Sequence, residues 1–213
     1  MASRKKLTRR LLIIIGSIAA IYIVLVIYNV ISFGVSFGLF DKDYTTTDLI
    51  SNFYKRRAEI FEAKRYFASK VPPRTIIEIE FKNDAQIARW GMYPGKDEPD
   101  QTVKFLEWNL DVNSGKVAKL LKTTGWTAQT LRTIKQKLDA ANCISIQSGE
   151  PAKIGFKRSG MGMYFFDVFD RPVPDSLKAR YNDSCTYIYA NRKLVLEYGG
   201  GAVGSQCFPV QGK

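Results

Sequence analysis

The apolar positions of this chain follow three successive spacings. The first is unbroken. Residues 11–31 are apolar apart from small or interfacial groups such as Ser17, Tyr22, Tyr28 and Asn29, and no charge occurs from residue 11 through residue 40. At 1.5 Å per residue, 21 residues make about 32 Å of helix, which matches a hydrocarbon core of about 30 Å. A cleaved signal peptide has a shorter apolar stretch of about 7–15 residues. An uncleaved transmembrane anchor is therefore expected over 11–33. The leader, residues 1–10, carries Arg4, Lys5, Lys6, Arg9 and Arg10 and no acid. Residues after the apolar run begin Asp41-Lys42-Asp43. Lysine and arginine counts thus place the N-terminus in the cytoplasm and the rest of the chain outside it, in a single pass.

The second spacing is helical. After a neck over residues 34–46, Leu49, Ile50, Phe53, Tyr54, Ile60, Phe61 and Phe67 recur at the period of a helix. Thr47-Asp48 is read as its cap, and Val71-Pro72-Pro73 as its end, since proline cannot continue the ladder. Lys55, Arg56, Arg57, Lys64 and Arg65 fill much of its remainder. They are expected to form a basic face turned toward anionic headgroups.

The third spacing is alternation. Residues 75–81 read as a strand, followed by a polar loop containing Pro94-Gly95 and Pro99 and a second strand over 103–111. Asn113-Ser114-Gly115 is read as a hairpin turn, with 116–121 returning antiparallel. Thr127 opens a second helix to about residue 141, with Leu131, Ile134 and Leu138 on one face. A short strand is expected over 143–146. Two hairpins follow, 152–158 with 161–169, and 186–190 with 193–198. Residues 164–169 are apolar on both faces, as in a central strand covered on both sides. The fold class is α+β: one extracytoplasmic domain over 47–213, a mainly antiparallel sheet with two principal helices.

Composition narrows the chemistry. The 27 basic residues beyond residue 40 exceed the 20 acidic ones by seven. That balance suits a bilayer surface, an envelope protein or an anionic polymer, and no nucleic-acid motif accompanies it. Histidine is absent, which excludes Ser-His-Asp and Cys-His catalysis and histidine metal ligation. Cys143, Cys185 and Cys207 have no Cys-x-x-Cys spacing. Cys143 lies in an apolar strand with Ile144 and Ile146 and reads as an inert, buried thiol. The hairpin over 186–198 brings the chain back toward Cys185, and the glycines after it let Cys207 arrive there, so a Cys185–Cys207 disulfide is expected.

Gly199, Gly200, Gly201, Gly204 and Ser205 form the most unusual local run and are a candidate binding loop, although no helix follows as in phosphate loops. Residues 111–115 begin like a calcium loop, but the twelfth position is Lys122, not glutamate. Asp97, Glu98 and Asp100 read as a solvated acidic turn. No cofactor, metal or catalytic residue is expected. An apolar N-terminal helix, a sheet and a C-terminal disulfide loop resemble pilin subunits in outline, but their processing site and early glutamate are absent and no family follows. The function expected is a non-catalytic, membrane-tethered interaction or assembly domain. The alternative is a membrane-bound hydrolase using Ser–Lys or cysteine chemistry, although serines and lysines are too numerous for a neighbouring pair such as Ser176 and Lys178 to mark a site.

Overall fold

The computed structural model describes residues 2–36, 41–200 and 204–209, with the side chains of residues 2–15, 18, 35 and 36 outside the description. The chain divides into two units, Met1–Lys42 and Asp43–Lys213. The first is one helix, α1 (Ala2–Ser36), which continues through the basic leader rather than starting after it. Tyr22, Leu25, Ile27, Val30 and Phe33 are among its exposed apolar side chains. Among the described residues, no helix is long and apolar enough to cross a membrane. Residues 11–15 and 18 of the expected span lie outside the described side chains.

The second unit opens with α2 (Thr46–Lys55) and α3 (Arg57–Lys70). The expected single helix is two, and its cap lies two residues earlier. Thr45 Oγ1 accepts from Asp48 N at 3.2 Å, and Asp48 Oδ2 accepts from Thr45 N at 2.9 Å, a reciprocal capping box. The break falls at Arg56, whose φ of −119° and ψ of 24° leave the helical region.

Strand β1 (Thr75–Phe81) matches its expected bounds. It pairs with β2 (Gln86–Pro94), where a polar loop was expected, and β2 pairs with β3 (Phe105–Asp111). The expected strand after Gly115 is a helix, α4 (Gly115–Thr124). Ser114 Oγ accepts from Val117 N at 3.2 Å, so the residue assigned to a turn caps a helix. Val117, Leu120 and Thr124 are buried at helical spacing, and Gly125 closes the helix at φ 70°. Helix α5 (Ala128–Ala140) follows, capped by Thr127.

Next come β4 (Ser145–Gln147), β5 (Ala152–Ser159) and β6 (Gly162–Val168), a short helix α6 (Asp175–Lys178), then β7 (Tyr187–Asn191) and β8 (Leu194–Gly199). The sheet-bearing unit has five helices among the described residues, α2 to α6, where two principal ones were expected. All eight strands form one antiparallel sheet in the order β3-β2-β1-β4-β5-β6-β8-β7.

Alternation along the strands gives the sheet two unlike faces. Ile77, Ile79, Trp90, Ile154, Phe166 and Leu196 join the buried faces of α2, α3, α4 and α5 in one core. The opposite face carries cross-strand ion pairs: Glu78 with Arg89 at 3.0 Å, Glu80 with Arg158, and Glu197 with Lys153. A smaller apolar cluster of Phe169, Val173 and Val195, with Leu177, Tyr181, Tyr187 and Tyr189 against it, straps residues 169–183 over the β6-β8-β7 end of that face. Strand β6 is thus covered on both sides, as its sequence implied.

Candidate functional site

The break at Arg56 turns the end of α2 and the first turns of α3 around a cleft of about 590 Å³. Lys55 reaches it from α2, Arg57 and Arg65 from α3, and Lys193 from the turn between β7 and β8. Tyr54 and Phe61 supply aromatic wall, and the Arg57 guanidinium lies 5.9 Å over the Phe61 ring. Asn191 Nδ2 donates to Tyr54 Oη at 3.5 Å, which ties the β7–β8 turn to the end of α2 and sets Lys193 beside the helices.

The electrostatics of this cleft are one-sided. Among the described residues, Lys55, Arg57, Arg65 and Lys193 have no carboxylate within ion-pair distance. Glu59 lines the cleft but lies 3.5 Å from Arg56. Some cations elsewhere on this unit are paired: Lys135 with Asp84 and Asp139, Lys137 with Glu62, Lys116 with Glu107. The Lys137 ammonium beside Glu62 holds that carboxyl below its usual range. Four cations against one carboxylate around a concavity leave a net positive surface that attracts an anion.

The five basic residues read from sequence thus divide. Lys55, Arg57 and Arg65 converge on the cleft. Arg56 pairs with Glu59 at its edge. Lys64 does not belong to a lipid-facing surface, which is a correction: it is only 4% exposed. Its Nζ donates to Val168 O at 2.8 Å and lies 3.0 Å from Glu150 Oε2 and 2.9 Å from Asp170 Oδ1. It fastens α3 to the β4–β5 loop and the end of β6. Lys193, Tyr54 and Phe61 escaped the sequence reading as members of the site.

The glycine run folds on itself. Gly200 N donates to Gly204 O at 2.8 Å, and Gly199 bridges Ser205. Gly199 has φ of 146°, and a Cβ there would stand 2.6 Å from Gly204 O, so both conformation and space require glycine. Gly201 lies outside the described residues. The Cys185–Cys207 disulfide is present, and Phe208 N donates to Cys185 O at 2.9 Å beside it.

The candidate nucleophiles are differently placed. Cys143 is free and buried, and burial pushes its thiol up to about 12, so thiolate is scarce at neutral pH. Lys178 lies 2.6 Å from Asp175 and 5.7 Å over the Tyr189 ring. Asp111 Oδ1 accepts from Asn113 N at 2.7 Å in the turn before α4, and Asp100 Oδ1 accepts from Thr102 N at 2.9 Å. Among the described residues, no group of three or more potential ligands is placed to hold a metal ion. Comparison with protein-family models, with curated proteins and with solved structures finds no match for this chain.

Proposed function

We propose that this chain is a single-pass, membrane-tethered binding domain without catalytic activity, and that its basic cleft engages an anionic partner outside the cytoplasm. The observation that carries the reading is the convergence of Lys55, Arg57, Arg65 and Lys193, from three elements, on one cleft that only one carboxylate, Glu59, lines among the described residues. The tether rests on the 21-residue apolar stretch, on the five leader cations and on the exposed apolar side chains of α1. A helix apolar on all sides suits a bilayer and not water. Bilayer headgroups, an anionic polymer or an acidic envelope protein all meet the chemistry of the cleft, each cation contributing about 1 kcal/mol near an anionic surface.

The test uses the full chain in nanodiscs. Hydrogen exchange over residues 54–65 is expected to slow in anionic discs relative to zwitterionic ones, and added polyphosphate should slow it in zwitterionic discs. Arg57→Glu with Lys193→Glu should abolish both effects. Equal exchange under all conditions overturns the anionic-partner reading. Protease added outside sealed cells should remove the domain; its protection there overturns the orientation.

A further inference from the structure

On the charged face of the sheet, opposite the helices, a second cavity of about 180 Å³ opens beneath the strap over residues 169–183. Asp167 comes to it from β6, Glu197 from β8 and Tyr187 from β7, while Tyr181 and Arg180 descend from the strap. Lys153 on β5 sits directly opposite Asp167 in register, and Glu197 directly opposite Tyr187. Glu150 from the β4–β5 loop and Lys96 from the β2–β3 loop complete the charged lining.

Three acids and three bases line the cavity, but Asp167 lacks a hydrogen-bond partner at one oxygen. Lys153 is committed to Glu197: its Nζ donates to Oε1 at 2.8 Å and lies 2.6 Å from Oε2, at an angle too poor for a second hydrogen bond. Asp167 is 2% exposed and Glu197 7%. Asp167 Oδ1 has no hydrogen-bond partner. A buried acceptor left unmatched costs about 1–3 kcal/mol, and more when charged. The aromatic wall points the same way. The Tyr181 and Tyr187 rings meet edge to face, 5.7 Å between centroids, and present a surface that favours a cation.

We propose that this cavity is a binding site for a primary ammonium group, which donates to the Asp167 carboxylate and lies against Tyr181 and Tyr187. The cavity is smaller than the roughly 300–1,000 Å³ of drug-sized sites, so it takes a side-chain-sized group. That group comes either from a free amino acid, whose carboxylate Arg180 and Lys96 would receive, or from a lysine side chain of a polypeptide. Binding requires Asp167 in its charged form. Burial, and then the neighbouring Glu197 charge, push its carboxyl up to about 7, with Lys153 opposing. An ammonium ligand therefore displaces a proton when it binds below that pH.

Calorimetry on the full chain in detergent micelles, with n-butylammonium as the probe and butyrate as the control, tests this. Saturable binding of butylammonium alone is expected at pH 8, weakening about 30-fold at pH 5.5 as Asp167 takes its proton. At pH 6, close to one proton should be released per ligand bound, read from buffers of different ionisation heat. Asp167→Asn should abolish binding, and the pH and proton-release measurements on the unaltered protein hold if that variant does not fold. Tighter binding of alanine than of Nα-acetyl-lysine amide identifies a free amino acid, and the reverse order a lysine side chain. Absence of saturable heat at pH 8, affinity independent of pH, or unchanged binding by Asp167→Asn overturns the proposal.

Discussion

Replacing Asp167 with asparagine should stabilise the folded domain at pH 8 and leave it nearly unchanged at pH 4. The reasoning starts from linkage. An ordinary aspartate titrates near 3.8, as this one does in the unfolded chain, whereas in the folded state burial and then the Glu197 charge beside it push the carboxyl up to about 7. Between those values the folded protein binds one more proton than the unfolded one. Stability from this group is therefore full below about pH 4 and is lost as pH rises toward 7, at roughly 1.4 kcal/mol per pH unit. Over three units the loss is on the order of 4 kcal/mol, a large share of the about 5–15 kcal/mol that holds a domain folded. Asparagine has nearly the same shape, takes no charge and offers Glu197 an N–H. The difference in unfolding free energy between variant and wild type should grow from near zero at pH 4 to several kcal/mol at pH 8. Taking the difference matters, because other groups titrate too: burial raises the Glu78 carboxyl, and Lys64 lowers that of Asp170. Urea unfolding of the full chain in micelles gives the curve through the fluorescence of Trp90, Trp108 and Trp126, all in the sheet-bearing unit. A difference that stays flat across this range, or that favours wild type at pH 8, refutes the argument.

Three further outcomes are expected. Lys64→Met keeps the apolar stem but loses the bond to Val168 O; because Glu150 and Asp170 are 47% and 68% exposed and rehydrate, urea unfolding at pH 7 should show a loss of about 2 kcal/mol, shrinking as acid protonates Asp170, and an unchanged midpoint would refute the anchoring role. Ser114→Ala removes the α4 cap and should cost about 1 kcal/mol in the same assay, whereas a turn residue with no cap would cost little. Reducing Cys185–Cys207 opens a link across 22 residues and should cost about 3 kcal/mol, with faster exchange at Gly199 and Ser205; protection unchanged by reductant would contradict it.

The parts of the fold legible in the sequence are those in which short-range pattern and tertiary role agree. Residues 75–81 alternate cleanly because one face meets helices and the other meets cross-strand charges. The β5–β6 and β7–β8 hairpins carry their own turns, and the disulfide follows from the second of them. Agreement fails elsewhere. In β2, Ile87, Trp90 and Met92 are all buried, yet the paired strands slip by one residue near Phe81, so the period-two signal is interrupted at its start. At α4, Ser114-Gly115 has turn chemistry, but serine also caps helices, and the burial of Val117 and Leu120 three residues apart decides between them. The break at Arg56 has no proline or glycine to announce it.

The same tension explains what was and was not readable in the sites. Lys64 lies four residues after Ile60 and three before Phe67, both buried, so helical spacing alone places it on the core side. Its charge misdirected the reading, although a buried lysine is tolerable where carboxylates and a carbonyl meet it. Lys193 is more than a hundred residues from the helices it joins, and the Asn191–Tyr54 contact ties its turn to them. Asp167 stands between buried Phe166 and Val168, a carboxylate inside an apolar strand, and that irregularity is plain in the sequence itself. On the charged face most acids are answered across the strands, Glu78 by Arg89, Glu80 by Arg158, Glu197 by Lys153. Asp167 shares a neighbour already committed, and four cations of the cleft outnumber the single acid, Glu59, that lines it. A buried Asp167 oxygen without a hydrogen-bond partner and a surplus of cations around one cleft are local costs of the kind expected where a ligand supplies the missing group.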